Sequence, residues 1–335
     1  MNKKTLILGN SQVQRLIDMP QVLKVIENAF ILYGKNLVQM PAKIYLHLDK
    51  YNGDFRAMPA YIEGMEACGL KWVNVHPKNR RFGLPAVMAI IILSDPQTGF
   101  PLCIMDGTLL TNLRTGAAGG IAAKYLARKD SSVVGLVGCG VQARTQLLAL
   151  KELFKIKLVC VWGNKVEYAK KFLEDTRHLG LNIKIKDKIS DCVKQADIVV
   201  TTTPVRKPIV KSEWIKYGTH INAIGADAKG KEELEPELLK RAKLVVDDWQ
   251  QASHSGEINV AVSCGIITKK DIYATLSEVL IGKKKGRVSS KEITIFDSTG
   301  LAIQDVAVAN LVYKRALRKK IGRRVGILPF SEKLK

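Results

Sequence analysis

Ser132-Val-Val-Gly-Leu-Val-Gly138-Cys139-Gly140-Val141-Gln142-Ala143 reads as an apolar strand that breaks into a G-x-G-x-x-A turn and opens a helix. Glycines at Gly138 and Gly140 allow the turn to tighten and let backbone N–H groups approach a pyrophosphate. The helix start behind them adds orphan donors and a favourable dipole for the same anion. The motif is weak alone, but a second apolar run, Leu158 to Trp162, follows where a βαβ unit requires it. The pattern therefore predicts a dinucleotide-binding unit. An acidic residue that bonds the ribose is expected about 20 positions after Ala143. That count reaches Gly163, followed by Asn164 and Lys165, with no carboxylate. An Asn-Lys pair suits a 2′-phosphate, so the reading leans to NADP, against a plain turn that accepts NAD or NADP alike.

Outward from this stretch, strands and helices alternate. Candidate strands are 133–137, 158–162, 183–186, 197–202, 220–225, 244–247 and 293–296, with helices over 142–153 and 165–179. That rhythm is the pattern of a doubly wound parallel sheet. Upstream, residues 43–48, 70–75, 87–93 and 101–105 read as strands of an antiparallel or mixed sheet. Ser11 is placed as the cap of a first helix, Pro20 at the start of a second, and Thr115 as the N-cap of a helix with a face of small residues. A last helix over 301–319 returns the chain to the first domain. The expected fold class is α/β: a Rossmann-type nucleotide domain, 119–302, inserted in a discontinuous α+β domain, 1–118 plus 303–335.

A chain of 335 residues with 47% hydrophobic and 25% charged residues can bury two cores, which excludes disordered and fibrous classes. The longest apolar run, Ala86 to Leu93, falls short of the roughly 20 residues that span a bilayer. The N-terminus lacks a signal-peptide pattern, so a cytoplasmic protein without membrane partners is expected. Six scattered cysteines, with no C-x-x-C pair, and five scattered histidines predict no metal and no disulfide scaffold. The formal charge of +22 raises nucleic acid as a partner. The lysines are spread over the chain apart from Lys283 to Lys285 and the tail from Lys314 to Arg324. No aromatic residues interleave with those clusters, so nucleic-acid binding is not expected.

Ligands in open α/β sheets bind at the carboxyl ends of strands. Two more such ends are Thr201-Thr-Thr-Pro204 and Asn222-Ala-Ile-Gly-Ala-Asp227. An Asp closing a strand is often a turn or helix cap; at the end of a cofactor strand it is also a candidate acid. In the first domain, buried-looking strands carry the isolated cations Arg56, Lys71 and Arg114. A cation in apolar surroundings needs an anion. Either a local Asp or Glu supplies it, or a carboxylate substrate does.

Taken together, Phe55-Arg-Ala-Met-Pro-Ala, Gly69-Leu-Lys-Trp-Val-Asn, Leu113-Arg-Thr-Gly-Ala-Ala-Gly-Gly, Gly138-Cys-Gly-Val-Gln, Asn222-Ala-Ile-Gly-Ala-Asp, Gly256-Glu-Ile-Asn-Val-Ala-Val and Phe296-Asp-Ser-Thr-Gly-Leu-Ala-Ile-Gln-Asp resemble the ornithine cyclodeaminase/mu-crystallin family, nearest its archaeal alanine dehydrogenase branch. The resemblance covers nearly the whole chain. It implies that Arg56, Lys71 and Arg114 hold a substrate carboxylate or polarise its carbonyl, that Asp227 is the general acid/base with Lys71, and that Thr299 lies near substrate. Val141, Gln142, Thr203, Ile224, Gly225, Ala226, Lys231 and Ser298 would line the dinucleotide, with Arg114 also near it. Ala86 stands where relatives often carry a threonine, and Gly163 where NAD-using members carry an aspartate. The implied activity is reversible oxidative deamination of L-alanine to pyruvate and ammonia by a homodimer acting on a small amino acid or 2-oxo acid. Ornithine cyclodeaminase, cyclic ketimine reductase and a non-catalytic nucleotide-binding protein are the alternatives.

Overall fold

In a computed structural model, which describes residues 4–328, the chain divides into two compact units. One runs through Arg114 and resumes at Ala302; the other is Thr115–Leu301. The strands of the first are Thr5–Leu8 (β1), Val38–Gln39 (β2), Ile44–Leu48 (β3), Gly53–Ile62 (β4), Ala67–Val75 (β5), Val87–Ser94 (β6) and Pro101–Asp106 (β7). A last strand, Arg323–Val325, pairs with β1, and the order continues β1-β7-β6-β5-β4-β2, with β3 also on β4. β1 runs parallel to β7 and the other ladders are antiparallel, so the sheet is mixed.

The side-chain period of two sets the buried face of this sheet. Register places Met58 opposite Lys71, Lys71 opposite Ile91 and Ile91 opposite Met105, so one cross-strand row carries three apolar residues and one lysine. Helix Met19–Gly34 and the C-terminal helix Ala302–Lys319 pack together, and the latter lies on β4, β5 and β6. Val22, Ile26 and Phe30 are fully buried, each contributing about 1.5–3 kcal/mol of transfer free energy.

Of three expected helix starts, two differ in the structure and one holds. Asn10–Gln14 (α1) is capped at Gly9, whose N–H donates to Gln12 Oε1, so Ser11 lies inside the helix rather than capping it. Pro20 does sit in the first turn of Met19–Gly34 (α2), which Asp18 caps by accepting from Gln21 N at 3.0 Å. Thr108–Leu126 (α3) begins seven residues before Thr115, because the Asp106 carboxylate accepts the N–H groups of Thr108 and Leu109. Thr115 is therefore mid-helix, and Arg114 stands on a helix, not on a strand.

The strands of the second unit are Val133–Val137 (β8), Leu158–Trp162 (β9), Ile183–Ile185 (β10), Ile198–Thr201 (β11), Arg206–Val210 (β12), His220–Ala223 (β13), Glu232–Leu234 (β14), Lys243–Val246 (β15), Ile272–Thr275 (β16) and Thr294–Asp297 (β17). Eight of them form a parallel sheet in the order β10-β9-β8-β11-β13-β17-β15-β16, while β12 and β14 pair separately. Its first five places are the doubly wound order, and the direction of winding reverses between β8 and β11. This is a Rossmann-type α/β fold. Helices Val141–Leu153 (α4) and Val166–Thr176 (α5) follow β8 and β9. The small-residue face of α3 serves close packing: a Cβ at Gly116 would strike the Thr145 carbonyl, and one at Gly119 would strike the Gln146 amide. No described helix is long and apolar enough to cross a membrane.

Candidate active-site residues

At the reversal point of the second unit, β8 ends in Gly138, whose φ of 107° suits glycine alone, and a side chain there would press on Thr202. Gly138 N donates to Trp162 O at 2.9 Å, tying the glycine turn to the end of β9 and so to Gly163-Asn164-Lys165. Gly140 caps α4 without any side-chain bond, and the space around it is open. Gly140 brings no side chain to cap this helix start, and a helix of 13 residues stands behind it. This geometry fits a dinucleotide pyrophosphate. Asn164 and Lys165 are exposed, and a Cβ at Gly163 would meet Cys139 Sγ at 2.6 Å.

The other expected lining residues sit at neighbouring strand ends, and most of their polar groups are already engaged. Thr203, beyond β11, donates both its N–H and its hydroxyl to Glu233 Oε1 at 2.7 Å, while Gly225 N donates to Glu233 Oε2 at 3.0 Å. Ile224 and Ala226 are buried beside it. Asp227 Oδ1 pairs with Lys231 Nζ at 2.5 Å, so the expected acid/base and an expected lining residue are partners. Thr299 spends its N–H and hydroxyl on Asp247, whereas the buried Ser298 hydroxyl has no partner among the described residues.

Besides Asp197, which heads an expected strand, four buried carboxylates in this unit escaped the sequence reading: Glu233, Asp247, Glu257 and Asp297. Each accepts backbone N–H groups. Glu257 Oε1 takes Glu233 N and Leu234 N; Asp297 takes Glu257 N and Ile258 N; Asp247 takes Thr299 N and Gly300 N. Burial pushes the carboxyls of Glu233 and Glu257 upward, and their mutual repulsion raises Glu257 further. The signal was present: the reasoning that singled out lone cations in apolar runs applies equally to Asp247 after Val246 and Asp297 after Phe296.

In the first unit, all three expected cations are buried, and acids of the same unit lie beside them. Arg56 forks onto Asp54 at 2.7 and 3.2 Å and lies over the Tyr45 ring. Lys71 Nζ stands 2.7 Å from Asp305 Oδ2, and Arg114 Nε donates to Asp305 Oδ1 at 3.0 Å. Arg114 Nη1 also donates to Gln304 Oε1 at 2.8 Å. Asp305 thus brings Lys71 and Arg114 together, and neither is isolated. Burial, then Arg114, drives the Lys71 ammonium down to about 7, against the upward pull of Asp305. An amine so placed can give or take a proton at neutral pH. Ala86 lies just before β6, its carbonyl accepting from His76 N at 2.7 Å.

A profile of the ornithine cyclodeaminase/mu-crystallin family matches residues 3–320. The chain belongs to this family. It is 55% identical over 324 residues to an alanine dehydrogenase of Archaeoglobus fulgidus, covering 96% of this chain and 98% of that one. Among solved structures, an archaeal alanine dehydrogenase dimer with bound NAD superposes with a TM-score of 0.93 at 54% identity, covering 97% of this chain and all of that one. The Thermococcus litoralis Δ1-pyrroline-2-carboxylate reductase, in complex with NADH and L-proline, gives a TM-score of 0.94 at 40% identity, covering 96% of this chain and 100% of that one.

Proposed function

We propose that this chain is an NAD(P)-dependent alanine dehydrogenase, interconverting L-alanine and water with pyruvate and ammonia. The observation that carries the substrate is the 55% identity to an alanine dehydrogenase over 96% of the chain. In this reading the unit through Arg114, resumed at Ala302, binds substrate and dimerises, and Thr115–Leu301 binds the dinucleotide through the glycine turn, Thr203, Ile224, Gly225, Ala226 and Ser298. An oxidised nicotinamide, when bound, would supply a hydride acceptor for the substrate Cα–H bond. The chain's own residues handle charge and protons. Arg56 and Arg114 attract the substrate carboxylate. Lys71, buried and poised near neutrality, takes the proton that the substrate ammonium must lose before its nitrogen can support a Cα=N bond. Asp227, with Lys231 at its side, manages the proton of the attacking water. The lean to NADP from Asn164 and Lys165 belongs to this proposal, against the NAD and NADH of the two solved relatives.

The outer face of the first sheet supports a homodimer in this reading. Register lines up Ile44, Ala57, Trp72 and Ile90 across β3 to β6, and Ile44, Leu46, Trp72 and Ile90 are 64%, 52%, 40% and 51% exposed. An apolar row of that kind marks an interaction surface.

The reading is tested by following reduced-nicotinamide absorbance with pyruvate plus ammonium, with Δ1-pyrroline-2-carboxylate and with ornithine, each with both nicotinamides. Oxidation that requires pyruvate and ammonium together is expected. Faster turnover of the cyclic imine without ammonium would transfer the assignment to a ketimine reductase, the reading that the L-proline-bound relative favours. Proline formed from ornithine would transfer it to a cyclodeaminase.

A further inference from the structure

Asp305 stands in the first turn of the C-terminal helix with no exposed surface. One carboxylate there faces two cations, Lys71 from β5 and Arg114 from α3. The neighbouring Gln304 carbonyl takes a second nitrogen of Arg114, so the guanidinium is gripped from the same helical turn. The other charge acting on Lys71 is Lys43, which repels it, while Arg56 on β4 is paired with Asp54. A buried carboxylate is costly unless it is paired. A single acid shared by two cations leaves one positive charge in excess, and Lys71 is the member able to shed a proton.

We infer that Asp305 is a positioning residue for the proposed reaction, anchoring the Lys71 amine and the Arg114 guanidinium together so that the substrate's carboxylate and nitrogen meet them in fixed places. The catalytic half of this inference rests on the dehydrogenase reading; the hold of Asp305 on Lys71 does not. Asp305 favours the charged form of Lys71, so removing its charge must ease proton loss. The Lys71 proton affinity of the full-length protein is read by NMR of 13C-labelled lysine, with its signal assigned through Lys71→Arg. A titration midpoint near 7 is expected for the parent protein. In Asp305→Asn the midpoint falls by about one unit or more, a tenfold loss of proton affinity. The low-pH limb of kcat for alanine oxidation moves down with it. Asp305→Glu keeps the charge on a longer arm: its midpoint stays with the parent, while kcat drops about tenfold or more through lost alignment. An unchanged midpoint in Asp305→Asn overturns the hold on Lys71, and full kcat in Asp305→Glu overturns the positioning. If Asp305→Asn does not fold, the Asp305→Glu rate decides. If the parent protein turns over none of the substrates, the dehydrogenase reading fails and the NMR midpoints still decide the pairing.

Discussion

The two units satisfy most of their buried charge in different ways. In the first, the cations Arg56, Lys71 and Arg114 are neutralised by side chains, Asp54 and Asp305. In the second, Glu233, Asp247, Glu257 and Asp297 are satisfied mainly by backbone N–H groups at strand ends, and Asp197 combines such amides with Arg128 and Lys216. A backbone amide cannot titrate, so a carboxylate that grips several of them fixes the loops they belong to. A side-chain partner can be traded for a substrate group or can pass a proton. The cation cluster is thereby suited to chemistry and the carboxylates to holding strand-end loops still, including those of Thr203 and Gly225.

The largest effect that tests this contrast is the loss of Lys71. Lys71→Ala removes the one cation of the cluster whose proton affinity lies near neutrality, and kcat for pyruvate amination is expected to fall by about 10²–10⁴-fold. Turnover close to the parent rate would remove Lys71 from the proton path.

Opposite pH dependences of stability make the next, smaller test. Lys71 in the folded chain releases its proton near 7, below the ordinary lysine value of 10.5. Between those values the unfolded chain holds more protons, so this residue makes stability rise with pH from about 7 to 10.5. Glu233 is shifted upward by burial. There the folded chain holds more protons, so its contribution falls as pH climbs out of the ordinary carboxylate range. Thermal melts of Lys71→Met and Glu233→Gln against the parent isolate each residue, because His220, whose burial lowers it to about 3, cancels in the differences. Lys71→Met is expected to flatten the rise above neutrality, and Glu233→Gln to flatten the fall on the acid side. Differences in Tm that do not vary with pH would show that neither group titrates as its burial demands.

Sequence patterns reached furthest where local chemistry is decisive. β8 and β9 lie at 133–137 and 158–162, where an apolar run, a glycine turn and the next run leave little choice. The start of α3 was less legible because Asp106, at the end of β7, captures the N–H groups of Thr108 and Leu109, and the helix begins seven residues before Thr115. Charged residues were legible as anomalies but not as pairs. Arg114 and Asp305 are 191 positions apart, and only the return of the C-terminal helix onto β4, β5 and β6 brings that acid to Lys71. The partners of the strand-end carboxylates were illegible for another reason: they are backbone groups, which carry no residue identity.

The smallest effect concerns the turn after β9, where a rigid strand end carries an exposed cation. If Lys165 meets a 2′-phosphate, the charge-assisted contact is worth at most about 1.5–3 kcal/mol, and solvent screening at this exposed turn reduces it. Lys165→Ala is expected to weaken NADP by roughly tenfold or less and to leave NAD nearly unchanged. Gly163→Asp should favour NAD by adding a ribose acceptor and repelling the phosphate, but its Cβ meets Cys139 Sγ at 2.6 Å. The substitution is therefore best made with Cys139→Ala, which clears the sulfur and leaves the Gly138 and Gly140 backbone in place. Titration of both nucleotides against parent, Cys139→Ala, the double variant and Lys165→Ala separates crowding from charge. Equal affinities for NAD and NADP throughout the series would show that this turn does not choose the cofactor.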